Sequence, residues 1–211
     1  MIEQLFSPNK IIPVVIINDV DKVLKLSETL LEAGINTMEV TLRTENALEV
    51  LRKVSQDIPE MILGAGTILN AEHFADARDA GVKYIISPGL TSELIGVAQN
   101  NLSKVKYIPG VSTPSQAMDA ANAGFSCVKF FPAEAYNAYA VIKALASPLP
   151  HIKFCPTGGI SLDNMQRYLE LPNVFAVGLS SIVESSLIEK GDFSEIRRRC
   201  EEACVIMNKC V

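Results

Sequence analysis

The sequence predicts an α/β fold, a (β/α)8 TIM barrel built from one domain over residues 1–211, on three observations. Short apolar runs rich in Val, Ile and Phe alternate eight times with longer stretches of helical spacing. Glycines punctuate helix ends at Ala33-Gly34, Ala80-Gly81 and Ala123-Gly124, each followed at once by a new apolar run. No G-x-G-x-x-G follows the first run, which counts against an open doubly wound sheet, the other fold that suits this alternation. Parallel strands need crossover helices, so the repetition implies a parallel sheet, and eight units suit a closed barrel.

Taken in order, Ile2–Phe6 reads as a short N-terminal helix capping the barrel bottom. The strand runs are Ile11–Ile17, Thr37–Leu42, Met61–Gly66, Lys83–Ser87, Lys106–Gly110, Ser126–Phe131, His151–Pro156 and Val174–Gly178. Helical spacing fills the gaps: Val20–Ala33, Ala47–Val54, Ala71–Ala80, Ser92–Gln99, Ser115–Ala123, Asn137–Ala146, Leu162–Leu169 and Phe193–Met207. Thr91, Thr113 and Ser161 read as N-caps, and Pro114 suits a first helical position.

Composition excludes several classes. With 48% hydrophobic and 20% charged residues the chain can bury a core, unlike a disordered one. A net charge of −5 and no long Lys/Arg run speak against nucleic acid as a partner. The run Ile11–Ile17 contains Pro13 and is far shorter than the ~18 apolar residues of a membrane span, so no membrane association is expected. The opening MIEQLFSPNK lacks the pattern of a secretory signal. Five cysteines (Cys127, Cys155, Cys200, Cys204 and Cys210) form no disulfide framework and suit a reducing, cytoplasmic setting. Cys200 and Cys204 stand one helical turn apart without further ligands, and His73 and His151 are remote in sequence, so no metal site is expected.

Chemistry in this architecture gathers at the carboxyl ends of the strands. Lys129 interrupts the apolar run Cys127-Val128-Lys129-Phe130-Phe131. Alternation puts Cys127, Lys129 and Phe131 on one face, and Val128 with Phe130 on the other. If the latter pair faces the helices, Lys129 points into the barrel. Burial disfavours an ammonium, and a neutral amine is what attack on a carbonyl requires. A lysine reaching solvent or pairing with an acid also fits the pattern. Glu39 shares a face with Thr41 and Arg43, and a buried carboxylate needs a partner, either Arg43 or Lys129. Beside an imine-forming lysine it would serve as a proton shuttle; a purely structural pair is the alternative. Two loops, Thr157-Gly158-Gly159-Ile160-Ser161 and Gly178-Leu179-Ser180-Ser181, follow the last two strands, where phosphate commonly binds in barrels. The helix start after Ser161 would add a favourable dipole. Gly64-Ala65-Gly66-Thr67 and Ser87-Pro88-Gly89 end the third and fourth runs, as ligand approaches or as ordinary turns.

Six segments together resemble the bacterial 2-keto-3-deoxy-6-phosphogluconate (KDPG) / 4-hydroxy-2-oxoglutarate (KHG) aldolases. They are Glu39-Val40-Thr41-Leu42-Arg43-Thr44, Gly64-Ala65-Gly66-Thr67, Ile86-Ser87-Pro88-Gly89, Ile108-Pro109-Gly110, Val128-Lys129-Phe130-Phe131-Pro132-Ala133-Glu134 and Cys155-Pro156-Thr157-Gly158-Gly159-Ile160. The resemblance implies a metal-independent class I aldolase on a (β/α)8 barrel, a homotrimer with an oxo-acid substrate and no cofactor beyond a covalent lysine imine. It implies that Lys129 forms the Schiff base and Glu39 is the acid–base residue. Arg43 and Thr67 would hold the pyruvate carboxylate, with Pro88 shaping that pocket. Thr157 would face the aldehyde portion, and Gly158, Gly159 and Ser180 would receive phosphate. One departure stands out: Leu179 occupies a place where the family commonly has glycine, and it would be strained if that place needs a positive φ. A KDPGal (2-keto-3-deoxy-6-phosphogalactonate) aldolase, a sugar-phosphate isomerase or epimerase, and a non-catalytic phosphate-binding barrel are the alternative readings.

Overall fold

The computed structural model describes residues 2–210. After a 3-10 turn at Ile2–Phe6, strands and helices alternate. They run β1 (Ile11–Val15), α1 (Val20–Glu32), β2 (Thr37–Thr41), α2 (Ala47–Asp57), β3 (Ile62–Gly66), α3 (Ala71–Asp79), β4 (Tyr84–Ile86) and α4 (Ser92–Gln99). The rest are β5 (Lys106–Ile108), β6 (Gly110–Val111), α5 (Pro114–Asn122), β7 (Cys127–Phe130), α6 (Ala138–Leu145), β8 (Lys153–Pro156), α7 (Met165–Leu169), β9 (Val177–Leu179), α8 (Ser185–Lys190) and α9 (Phe193–Asn208).

All strand pairs are parallel, and together they form a curled sheet. One part has the order β5-β4-β3-β2-β1-β9 and the other β6-β7-β8. The fifth run is broken at Pro109, which has no N–H to give a ladder. Its carbonyl still accepts from Lys129 N at 2.9 Å, so β5 and β6 both stay next to β7. Isolated parallel bridges, Phe154↔Val174 and Thr157↔Gly178, connect β8 with the β9 segment.

Two apolar layers line the two faces of the sheet. Met38, Val40, Leu63, Ala65, Ile85, Val128, Phe130 and Phe154 pack with helix residues such as Val23, Leu26, Val50 and Phe74. The alternate positions Ile12, Tyr84, Ile86, Ile108, Cys127 and Cys155 form a separate cluster with Phe6, Phe175 and Ala176. Phe6 stands edge-on to Tyr84, with ring centroids 5.1 Å apart, so the N-terminal turn covers one end of this inner layer. The segment expected as a short helix is thus a 3-10 turn over the same residues, Ile2–Phe6.

Helix ends follow local chemistry. Thr91 and Thr113 cap α4 and α5 through their hydroxyls, and Thr113 forms a full capping box with Gln116. Gly34, at φ +86°, closes α1: its N–H reaches Leu31 O, and Ile35 N reaches Leu30 O.

Four expectations need correction. Ser161 is not an N-cap. The helix begins at Met165, and Asn164 turns its Oδ1 back to accept from Ser161 N at 2.9 Å. The helix start is therefore displaced from Ser161 to Met165, and α7 has only 5 residues, too short for the helix dipole expected at the loop. The last strand begins at Val177, not Val174, because Val174 closes a turn on Leu171 O. Leu179 lies within β9, fully buried and without positive φ, so it carries no backbone strain. Helix α8 was not expected. Its 6 residues bury only Ile188, leaving too little apolar periodicity to read.

Candidate active site

Parity along two strands decides where Glu39 and Lys129 lie. Met38 and Val40 on β2, and Val128 and Phe130 on β7, point to the helices. Glu39 and Lys129 are therefore left on the other face, deep in the sheet's curl and only 1% and 4% exposed. Lys129 Nζ donates to Glu39 Oε1 at 3.2 Å. In a place this dry, leaving either charge alone would cost about 3–5 kcal/mol. The Phe131 ring centroid stands 5.3 Å from Nζ and adds a cation–π contact.

Neighbouring strands make room for the pair. A Cβ on Gly66 would fall on the Glu39 carboxyl, and one on Gly64 would fall on the Tyr84 ring. These glycines thus accommodate side chains of this chain. Tyr84 forms a floor: its hydroxyl is hydrogen-bonded to Thr37 Oγ1 at 3.0 Å, and burial pushes its ionisation well above the ordinary range. Cys155, in register with Lys129 on β8, is a buried thiol that desolvation pushes up to about 12. It is therefore an inert wall and no competing nucleophile at neutral pH.

Around the pair the other residues fall into three groups. Arg43 is not on a shared strand face with Glu39, because β2 ends at Thr41 and Arg43 lies in the following turn, exposed. Its Nε donates to Thr67 Oγ1 at 3.0 Å, so Arg43 and Thr67 do meet each other. Thr67 has φ +60°, an uncommon conformation for a β-branched residue and one that concentrates at functional sites. Pro88 is held in a tight turn: Ser87 Oγ donates to Gly89 O at 2.6 Å and is bonded to the Tyr107 hydroxyl at 2.7 Å. Ser87 and Tyr107 as a brace were not legible in sequence, since their spacing follows no motif.

The third group is the glycine loop. Thr157 is buried at the end of β8, against Gly178 of β9. Gly158 and Gly159 have φ +97° and +79°. The carbonyls of Thr157, Gly158 and Gly159 accept from Ala133 N (2.8 Å), Glu134 N (3.0 Å) and Asn164 Nδ2 (2.9 Å). A trans peptide aims C=O and the next N–H in opposite directions. The N–H groups of Gly158, Gly159 and Ile160 are therefore turned the other way: that of Gly158 faces β9, where Thr157 and Gly178 form a bridge, and those of Gly159 and Ile160 have no acceptor among the described residues. Two successive N–H groups without an acceptor can offer hydrogen bonds to an anion. Ser180 is exposed and lines a cavity of about 420 Å³ with Val14, Ile16 and Ser181. A cavity of about 390 Å³ at Asn18, Lys22 and Thr44 shares Ile16 with it; Lys129 and Glu39 line neither. Among the described residues, no three His, Cys, Asp or Glu side chains gather to hold a metal ion.

The model of the KDPG and KHG aldolase family matches residues 2–199. The chain belongs to this family. A 2-dehydro-3-deoxy-phosphogluconate aldolase of Pseudoalteromonas atlantica is 41% identical over 95% of this chain and 93% of its own length. The KHG/KDPG aldolase of Escherichia coli is 37% identical over the same shares. Among solved structures, KDPG aldolase from Legionella pneumophila, with pyruvate captured as a covalent carbinolamine, matches with a TM-score of 0.92 at 38% identity. That match covers 96% of this chain and 98% of the Legionella aldolase.

Proposed function

We propose that this aldolase cleaves KDPG reversibly to pyruvate and glyceraldehyde 3-phosphate, and KHG to pyruvate and glyoxylate. The observation that carries the reading is the buried contact of 3.2 Å between Lys129 Nζ and Glu39 Oε1. Moving a proton from Lys129 to Glu39 leaves a neutral amine with no change in the net charge of the pair. That amine adds to the C2 ketone, Glu39 gives its proton to the departing hydroxyl, and loss of water leaves a protonated imine beside an ionised Glu39 carboxylate. Glu39 takes the proton of the C4 hydroxyl as the C3–C4 bond breaks. The bonding electrons move into the iminium, leaving a neutral enamine and releasing the aldehyde. Glu39 returns the proton to C3, water adds to C2, and the C–N bond breaks to give pyruvate and free Lys129.

Arg43 and Thr67 hold the pyruvate carboxylate, and Pro88 shapes that pocket, so that C2 faces the amine. Thr157 faces the aldehyde portion. Gly158, Gly159 and Ser180 receive the phosphate, a role supported by the N–H groups of Gly159 and Ile160, which have no acceptor among the described residues. The chemistry needs no metal and no cofactor beyond the imine. At the level of the molecule the reading includes one domain over 1–211, a closed (β/α)8 ring, a homotrimer and a cytoplasmic setting. Ring closure is supported by the bridges from β8 to the β9 segment and by β5 and β6 flanking β7 together.

Pyruvate release from both oxo acids, with and without a chelator, tests the reading. Pyruvate should form from at least one at a rate that chelation leaves unchanged. No pyruvate from either, or a loss on chelation restored by a divalent ion, contradicts it.

A further inference from the structure

Outside the residues so far given roles, one charged cluster presses directly on the glycine loop. Glu134 follows β7, and a Cβ on Gly159 would approach Glu134 Cβ and Cγ to 2.7 and 2.8 Å. The Glu134 carboxylate accepts from Arg167 Nη2 at 2.7 and 2.9 Å and from the Tyr168 hydroxyl, both on α7. Arg167 in turn lies over the rings of Tyr139 and Tyr168, its carbon 5.4 and 5.2 Å from their centroids. Glu134 N and Ala133 N fix the carbonyls of Gly158 and Thr157, so the backbone that carries the carboxylate also sets two peptide planes of the loop. The plane of the Gly158 carbonyl also carries the Gly159 N–H, one of the two without an acceptor. Gly159 lies so close to Glu134 that only a residue without a Cβ fits at this place in the loop.

We infer that Glu134, clamped by Arg167 and Tyr168, is a positioning residue that holds the 157–160 loop in its anion-receiving conformation and so sets the preference for phosphorylated over unphosphorylated oxo acids. The inference rests on the aldolase reading above and adds a determinant of substrate choice to it. Glu134 and Arg167 carry opposite charges that cancel, so the clamp acts through geometry and adds no net attraction for phosphate.

Steady-state kinetics of Glu134→Gln and Arg167→Met with KDPG and KHG test this. Glu134→Gln keeps the contact with Gly159 but loses the charged clamp; Arg167 is nearly half exposed, so its replacement leaves the core intact. In both variants KM for KDPG should rise about tenfold with little change in kcat, the pattern of lost binding that is equal in ground and transition states. KHG cleavage and borohydride trapping of pyruvate should be unchanged. Inorganic phosphate, used as a competitive inhibitor of KHG cleavage, should weaken by a similar factor. Equal losses on both substrates, or unchanged KM for KDPG in Arg167→Met, overturn the inference even where pyruvate is still trapped. If the unaltered protein traps no pyruvate at all, the aldolase reading itself fails.

Discussion

Lys129 and Glu39 are each an expensive residue to bury, and each is tolerable because the other is there. Their contact depends on a third residue with no side chain: Gly66 on β3 supplies the space that the Glu39 carboxyl fills. The proposed chemistry rests on that arrangement, since a carboxylate in hydrogen-bond reach of the amine can take and return one proton. Glu39→Gln keeps shape and hydrogen bonding but removes the proton shuttle. Turnover should fall by about 10²–10⁴, the usual contribution of general acid–base catalysis, while imine formation with pyruvate remains detectable. Full turnover in that variant, read from pyruvate release, removes Glu39 from the mechanism. The pair is legible in sequence because a charged residue within an apolar run has only two faces to choose from, and Val128 and Phe130 claim one of them. Arg43 is less legible: alternation carries it onto the face of Glu39, but β2 stops at Thr41 and the turn redirects it to Thr67.

Strands and helices are readable wherever period and punctuation agree. Helix α4 matches its expected range, Ser92–Gln99, at both ends because Thr91 caps it and its apolar stripe is regular. Departures occur where one local group overrides the pattern. Pro109 splits a run that is otherwise continuous, Asn164 delays α7, and α8 buries too little to show a period. Among helix ends, Gly34 offers a clean test. It has φ +86° and nothing within 4 Å of where a Cβ would stand, so Gly34→Ala meets no steric neighbour. The left-handed backbone alone should then destabilise the protein by about 1–2 kcal/mol, measured by denaturant unfolding, with catalysis unaffected. An unchanged midpoint contradicts this account of how α1 ends.

The curled sheet separates two apolar layers with different tasks. The layer against the helices holds the fold. The inner one, from Phe6 through Tyr84 to Cys155, supplies a dry floor beneath polar groups at the strand ends. With five free cysteines, of which Cys127, Cys155 and Cys200 are buried, cohesion comes from these layers and from no cross-link among the described residues. The residues joined by the curl are far apart in the chain: Glu39 and Lys129 are 90 positions apart. Sequence alone shows each as an anomaly in its own strand, and only the parallel topology makes them neighbours. The most direct measurement is borohydride reduction of the protein with pyruvate, followed by peptide mass spectrometry. One stable pyruvyl adduct per chain, on Lys129, is the predicted result; no adduct, or an adduct confined to another lysine, would contradict the account.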